Sequence, residues 1–157
     1  KRNLAPIPSQ LLISHDGVHD LITQLVAPSV FYQVLSRDIS ISKREGTEIS
    51  VIKFFLNPAV ATTRDDSDIE VIEFSKYLQR FTRASDLSTR ISNREFLTLI
   101  KSELHTYGKL NERLALMWGG RGSTLSYSEI SHSGEEDLTQ FLAKITERNV
   151  TKTYRLF

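Results

Sequence analysis

The sequence of 157 residues contains no cysteine. Disulfide bonds, thiolate metal sites and cysteine nucleophiles are therefore excluded. No apolar run approaches the roughly 18 residues of a membrane-spanning helix, and no charged segment followed by an apolar one marks a secretion signal. The net charge of +1 lacks the basic excess of proteins that bind nucleic acid through its phosphates, so we do not expect DNA as a partner.

The overall composition is that of an ordinary globular domain. Apolar residues make up 39% and charged residues 25% of the chain, a mixture that is typical of one domain with a single core. Pro6 and Pro8 lie close together near the start, so we interpret residues 1–14 as a linker or the tail of a preceding domain and 15–157 as one domain. Because the first residue is Lys1, we expect a fragment of a longer polypeptide.

Hydrophobic periodicity predicts alternating helices and strands along the chain. A helix follows Pro28 and ends at Gly46, and a β-branched and aromatic strand over 49–56 is stopped by Asn57-Pro58. The later predictions are a helix over 71–81, a hairpin of 86–91 and 95–100 that turns at Ser92-Asn93, a helix with Leu110, Leu114 and Met117 that ends at Gly119-Gly120, a strand over 125–130, a helix over 138–145 and an edge strand over 151–157.

The order of these elements predicts the fold class. From residue 49 onward it is strand, helix, strand, strand, helix, strand, which is the ferredoxin-like βαββαβ arrangement. We therefore expect an α/β fold in layers, with helices packed against a mixed sheet. Proteins of this topology have many functions, nucleotide cyclases among them, so the fold alone does not assign one.

A motif near the predicted hairpin carries a resemblance to a known family. Residues 83–96 resemble the GGDEF family, in which Arg-x-x-Asp precedes the GG[DE]EF hairpin by five residues. Arg83 and Asp86 supply that motif, and the hairpin signature is reduced to Ser92-Asn93-Arg94-Glu95-Phe96, which keeps the final Glu-Phe. Residues 20–25 are similar to the family's D-x-LTGLPNR segment. The resemblance extends over 14–157 and rests mainly on 83–96.

Departures from the family pattern fall on its catalytic residues. Where active members end the first strand in D-x-D to hold Mg²⁺, the matching residues are Phe55-Leu56-Asn57, and an aromatic ring cannot ligate Mg²⁺. Ser92 and Asn93 replace two glycines that let the substrate approach, and Arg94 replaces the signature acid. The family's guanine-binding Asn and its G-H-x-x-G-D segment have no match near 58–69. We therefore expect no catalytic residues and no enzymatic activity.

The retained motif is suited to guanine. The O6 and N7 atoms of guanine accept two hydrogen bonds from an arginine fork, and a carboxylate accepts from N1 and N2 on the other edge. In the family this is an allosteric site that takes cyclic di-GMP as an intercalated pair. The resemblance implies that Arg83 and Asp86 bind this ligand, with further contacts from Arg113 after the hairpin and from Arg44 or Arg37 on the first helix. We expect neither a cofactor nor a metal.

A degenerate domain with this site alone is the pattern of GIL (GGDEF I-site-like) domains, which regulate bacterial cellulose secretion. The resemblance implies a cytoplasmic receptor that joins the inner-membrane cellulose synthase to its cytosolic accessory proteins and reaches the membrane through them. Three alternatives stay open: an inactive GGDEF receptor of a Pel-type exopolysaccharide system, a scaffold that serves only in protein assembly, and a residual cyclase. Phe55 and Arg94 argue against the last.

Other candidate sites carry less weight. Outside the family context, Arg83 and Asp86 would form only a surface ion pair. His15 and His19 are spaced for one metal, but the sequence offers no third ligand cluster, and we do not expect zinc. The acidic segment 65–68 lacks the alternation and the glycine of a calcium loop, so we interpret it as a charged surface loop.

Overall fold

A computed structural model describes most of the predicted domain. It describes residues 17–58, 63–82, 87–100, 114, 117–118, 123–132, 134–147 and 152–154. Arg83, Asp86 and Arg113 lie outside these residues, as does the expected linker 1–14, whereas Arg37 and Arg44 lie within them.

The described residues form three helices and five strands. In chain order these are α1 (Pro28–Glu45), β1 (Ser50–Asn57), α2 (Arg64–Phe81), β2 (Leu87–Ser92), β3 (Glu95–Ile100), β4 (Thr124–Ser131), α3 (Leu138–Glu147) and β5 (Lys152–Tyr154). Leu114 and Met117, between β3 and β4, are also helical, which confirms the predicted helix at these two positions. Leu110 and Gly119-Gly120 lie outside the described residues.

The five strands form one sheet in the order β2-β3-β1-β4-β5. This is the predicted βαββαβ arrangement, in which α2 connects β1 to β2 across the intervening β3. The expectation of a mixed sheet needs correction, because every pair of named strands is antiparallel. β1 and β2 run parallel to each other, but β3 lies between them, so they are not neighbours. Among the described residues, parallel pairing is limited to an isolated bridge between Val26 and Thr89.

Local signals set the ends of α1 as predicted. Pro28 occupies the first turn, where its missing N–H costs nothing. Gly46 adopts the left-handed conformation with φ 69°, and its N–H donates to the Ser42 carbonyl at 2.8 Å. A glycine is favoured there because it has no Cβ to clash in this region.

The start of α2 differs from the prediction. The supposed surface loop at 65–68 is the first turn of the helix, which begins at Arg64. The Thr63 hydroxyl caps it by accepting from the Asp66 N–H at 3.1 Å. Asp65 and Asp66 stabilise this end because the N-terminal dipole is positive. The acidic run therefore belongs to helix capping, which the apolar spacing does not reveal.

The β2–β3 hairpin is confirmed, but its turn is displaced by one residue. Ser92 belongs to β2 and pairs with Glu95, so Asn93 and Arg94 form the turn. A register irregularity between Arg90 and Ser92 accommodates the change. This bulge is not visible in the pattern of apolar residues.

Side chains alternate between the two faces of the sheet along each strand, and helices cover both faces. One face packs against α2 and the helical residues near Leu114, through a cluster that includes Phe54, Phe74, Phe96, Tyr77 and Trp118. The other face packs against α1 and α3, through a cluster that includes Phe31, Leu35, Val51, Ile130 and Phe141. Within the part of the chain that the structure describes, no helix is long and apolar enough to cross a membrane.

Candidate functional site

The Arg-x-x-Asp motif falls in the five-residue connection, 82–86, between α2 and β2. Arg83 and Asp86 themselves lie outside the described residues, but the chain on each side of them is described. The hydroxyl of Thr82, at the C-terminal end of α2, donates to the Leu78 carbonyl at 3.1 Å. Leu87 begins β2 and pairs with Leu99 of β3. The connection thus starts at a helix end and finishes at the outer strand of the sheet.

A small cleft of about 160 Å³ adjoins this connection. It is lined by both flanking residues, Thr82 and Leu87, and by Gln79 of α2. The remaining lining residues are His19, Gln24, Leu25, Val26 and Ser88. The chain that enters and leaves the motif therefore borders a concave surface.

A larger cleft, here called the aromatic cleft, shares Gln79 with the small cleft. It measures about 760 Å³ and is lined by Glu73, Lys76, Tyr77, Gln79, Arg80, Met117 and Trp118. The Tyr77 hydroxyl donates to the Leu114 carbonyl at 2.6 Å. Burial raises the pKa of Tyr77 to about 12, although the charge of Arg80 opposes the shift. Since Arg113 directly precedes Leu114 in the sequence, this hydrogen bond joins α2 to the chain beside Arg113.

The two arginines predicted on α1 lie elsewhere. Arg37 is 64% exposed at its side chain, and its Nε lies 3.5 Å from Oδ1 of the buried Asp38. Arg44 is exposed in the last turn of α1. Neither lines the small cleft or the aromatic cleft, and α1 packs on the face of the sheet opposite α2.

Sequence reasoning did not anticipate the contacts of Arg94. Its Nε donates to the Leu56 carbonyl at 2.6 Å and its Nη1 donates to the Ser67 hydroxyl at 2.6 Å. Its Nη2 forms an ion pair with Glu70, whose side chain is 1% exposed. We call this set of four residues the Arg94 clasp. It joins the hairpin turn, the end of β1 and the N-terminal half of α2.

A second buried ion pair joins Asp20 to Arg90. The carboxylate accepts from Arg90 Nε at 2.7 Å and Nη2 at 2.9 Å, and from the Thr23 hydroxyl at 2.6 Å. Burial by itself would raise the pKa of Asp20, but the hydrogen bonds from Arg90 and Thr23 and the charge of Arg90 outweigh it, so the pKa is lowered. Asp20 begins the D-x-LT segment, whereas no sequence signal singled out Arg90, which lies 70 residues away.

Metal ligation has no candidate among the described residues. They contain no group of three or more His, Asp or Glu side chains placed to hold an ion. His15 lies outside the described residues, so the pair of His15 and His19 stays a prediction from sequence.

Comparison with known proteins identifies the fold. No model of a protein family and no curated protein matches the sequence. The GGDEF domain of DgcB from Caulobacter crescentus, solved in complex with cyclic di-GMP, matches with a TM-score of 0.70 at 13% identity over 84% of this chain and 87% of that chain. The FimX GGDEF domain from Pseudomonas aeruginosa matches with a TM-score of 0.68 at 14% identity over 80% and 86%. This chain has the GGDEF-domain fold.

A third structure has the same fold within a longer chain. The diguanylate cyclase SiaD from Pseudomonas aeruginosa, solved with its activator SiaC, matches with a TM-score of 0.71 at 20% identity over 85% of this chain and 57% of that chain. At such identities the likeness establishes the GGDEF fold and not an activity. Residues 92–96, which resemble the family's signature, lie at the end of β2, in the turn and at the start of β3.

Proposed function

We propose that this domain is a cyclic di-GMP receptor that lacks cyclase activity. The observation that carries the proposal is the position of the Arg-x-x-Asp motif in a GGDEF fold, between α2 and a hairpin that keeps Glu95-Phe96. The DgcB domain with this fold was solved with cyclic di-GMP. Arg83 and Asp86 are the residues that we assign to the ligand.

Guanine recognition follows from the chemistry of these two side chains. The guanidinium of Arg83 donates two parallel hydrogen bonds to guanine O6 and N7, and the carboxylate of Asp86 accepts from N1 and N2. The small cleft beside the motif supports this site, because small-molecule ligands bind in clefts that exclude water from their polar contacts. Arg113 is the next candidate, since it precedes a residue that is bonded to α2.

Two features of the hairpin region support the absence of catalysis. The resemblance assigns Phe55 to the position of a metal-binding carboxylate that phosphoryl transfer would need, and Phe55 pairs with Glu95 of the hairpin. Arg94 engages Glu70, Ser67 and the end of β1, so the side chain that replaces the signature acid is a buried cation. We therefore expect no product when the wild-type domain is incubated with GTP and Mg²⁺.

The biological context that we propose is cellulose secretion. The resemblance to the GIL domain of BcsE supports a regulatory module whose occupancy by cyclic di-GMP changes its contacts with other secretion components at the inner membrane. A receptor of a Pel-type system would use the same two residues. Measurement of binding by the domain tests the receptor function that both share.

The test is isothermal titration of cyclic di-GMP into the wild-type domain, Arg83→Ala and Arg83→Lys. Arg83→Ala should weaken binding by about 1 to 3 kcal/mol for each guanine that Arg83 binds. Arg83→Lys should recover little, because lysine lacks the bidentate fork. Lys43→Ala, which removes an exposed charge from the end of α1, is the control and should bind as the wild type does.

Each outcome has a defined meaning. Saturable binding by two ligands per site that is weakened in Arg83→Ala as predicted supports the intercalated mode. Undiminished binding by Arg83→Ala contradicts the site assignment. A folded wild-type domain that gives no heat with cyclic di-GMP contradicts the receptor function and leaves a scaffold for protein assembly.

A further inference from the structure

The aromatic cleft has the size and floor of a small-molecule site. Its volume of about 760 Å³ falls inside the range of roughly 300 to 1,000 Å³ for such sites. The rings of Tyr77 and Trp118 form its floor, with their centroids 5.3 Å apart. Met117 also lines the cleft and is 58% exposed, so its side chain is accessible to a ligand.

Two cations stand at the rim of this cleft. Lys76 and Arg80 are exposed and lie four residues apart on α2, so they share one face of the helix. The guanidinium of Arg80 lies 6.0 Å from the centre of the Tyr77 ring. Glu73 lies one turn earlier on the helix, which confines the positive part of the rim to the C-terminal end of α2.

This combination fits a nucleotide better than an uncharged apolar ligand. Exposed Lys and Arg side chains supply charge-assisted hydrogen bonds to a phosphate. An apolar wall beside aromatic rings provides a surface for the flat face of a base. Both features occur in one cleft, within the reach of a single ligand.

The chain connects this cleft to the proposed motif. Arg80 precedes Arg83 by three residues, and Leu114, which accepts from Tyr77, follows Arg113 directly. Gln79 lines both the aromatic cleft and the small cleft beside the motif. A ligand larger than one nucleotide could therefore contact both the motif and the aromatic cleft.

We propose that the aromatic cleft forms part of the cyclic di-GMP site. Lys76 and Arg80 bind a phosphate of the ligand, and one of its bases lies against Met117 above the floor of Tyr77 and Trp118. This inference rests on the proposed function and extends the binding site from the Arg-x-x-Asp motif to the aromatic cleft.

The single tryptophan provides a direct readout. Trp118 is 5% exposed, and its Nε1 donates to the Ser123 hydroxyl at 2.9 Å. Cyclic di-GMP is titrated into the whole domain while calorimetry and tryptophan emission are recorded under the same conditions. A base in the aromatic cleft should change the emission of Trp118 in a saturable manner, with the same midpoint as the heat. Calorimetric binding without any change in emission would overturn the inference and leave the proposed function intact.

Charge variants provide the second readout. Lys76→Ala and Arg80→Ala should each weaken binding about tenfold, as expected for the loss of one charge-assisted hydrogen bond. Lys43→Ala removes the same charge from α1, whose core contacts lie on the other face of the sheet, and should change affinity little. Thermal unfolding of each variant verifies that the fold is retained.

The outcomes separate this inference from the proposed function. Wild-type affinity in both Lys76→Ala and Arg80→Ala, with binding still weakened in Arg83→Ala, would overturn the role of the aromatic cleft and keep the receptor function. If the folded wild-type domain does not bind cyclic di-GMP at all, both proposals are wrong. Weakened binding by both rim variants together with a change in Trp118 emission supports the extended site.

Discussion

Arg94→Ala tests the unanticipated link between the hairpin and α2. The substitution removes the partner of Glu70, whose side chain is 1% exposed, and the donors to Ser67 and to the Leu56 carbonyl. Breaking a buried ion pair from one side costs about 3 to 5 kcal/mol, because the remaining charge is left buried without compensation. For a domain of this size, each kcal/mol lowers the thermal midpoint by about 2 to 4 °C, so the midpoint should fall by about 6 to 20 °C.

The assay is reversible chemical and thermal unfolding followed by circular dichroism. Arg44→Ala is the matched control, because it removes an exposed arginine from the last turn of α1 and should cost less than about 1 kcal/mol. The double variant Arg94→Met with Glu70→Leu replaces the pair with apolar groups and should recover much of the stability, since no buried charge is left behind.

Two results would refute this reasoning. If Arg94→Ala unfolds within about 1 kcal/mol of the control, the clasp contributes nothing to the fold in solution. If the double variant is destabilised by the sum of the two single effects, the two side chains act independently and are not paired.

Three further substitutions test local features of the fold. Asp20→Asn should cost about 3 to 5 kcal/mol of unfolding free energy, because it leaves the buried Arg90 unpaired. In the wild type the pKa of Asp20 is lowered, so the ion pair stabilises the fold fully above about pH 4 and this stabilisation is lost as the pH falls through the pKa of Asp20 in the folded protein. Unfolding measured over an acid pH series tests this. Tyr77→Phe should cost about 0.5 to 1.5 kcal/mol because the hydrogen bond to Leu114 is removed; because the pKa of Tyr77 is raised to about 12, the wild type should lose stability between about pH 10 and that value. Gly46→Ala should cost about 1 to 2 kcal/mol in denaturant unfolding from its positive φ alone, since a Cβ there meets nothing within 4 Å.

The control for these substitutions is a conservative change at an exposed position. Glu48→Gln removes a carboxylate from an exposed loop position and should leave the unfolding free energy unchanged at pH 7. An Asp20→Asn variant as stable as Glu48→Gln would contradict the buried pair. If Tyr77→Phe and the wild type lose stability identically at alkaline pH, the role of Tyr77 is contradicted. If Gly46→Ala is as stable as the wild type, the left-handed conformation at the end of α1 is contradicted.

Local sequence signals predicted the secondary structure well where one signal dominated. Pro28 and Gly46 bracket α1, and the β-branched run over 49–56 forms β1, because capping and propensity act within a few residues. The predicted start of α2 was wrong, because the Thr63 cap and the acidic first turn resemble a polar loop in the sequence. The hairpin turn moved to Asn93 and Arg94 because a bulge in β2 has no periodic signature.

The candidate site was predicted from a motif and not from periodicity. Arg83 and Asp86 stand out only because their spacing before a Glu-Phe hairpin resembles the GGDEF family. The assignments of Arg37 and Arg44 came from that resemblance alone, and the structure brings neither to the clefts beside α2.

The sequence by itself determined the types of the elements and their order, because capping, turn signals and hydrophobic periodicity act between near neighbours along the chain. The tertiary structure alone decided that Asp20 meets Arg90, that Arg94 reaches Glu70 and that Trp118 lines a cleft with Arg80. These contacts join residues far apart in the sequence. They form only when the strand order β2-β3-β1-β4-β5 brings distant segments together. In the two ion pairs, each buried charge is stable because its partner lies beside it.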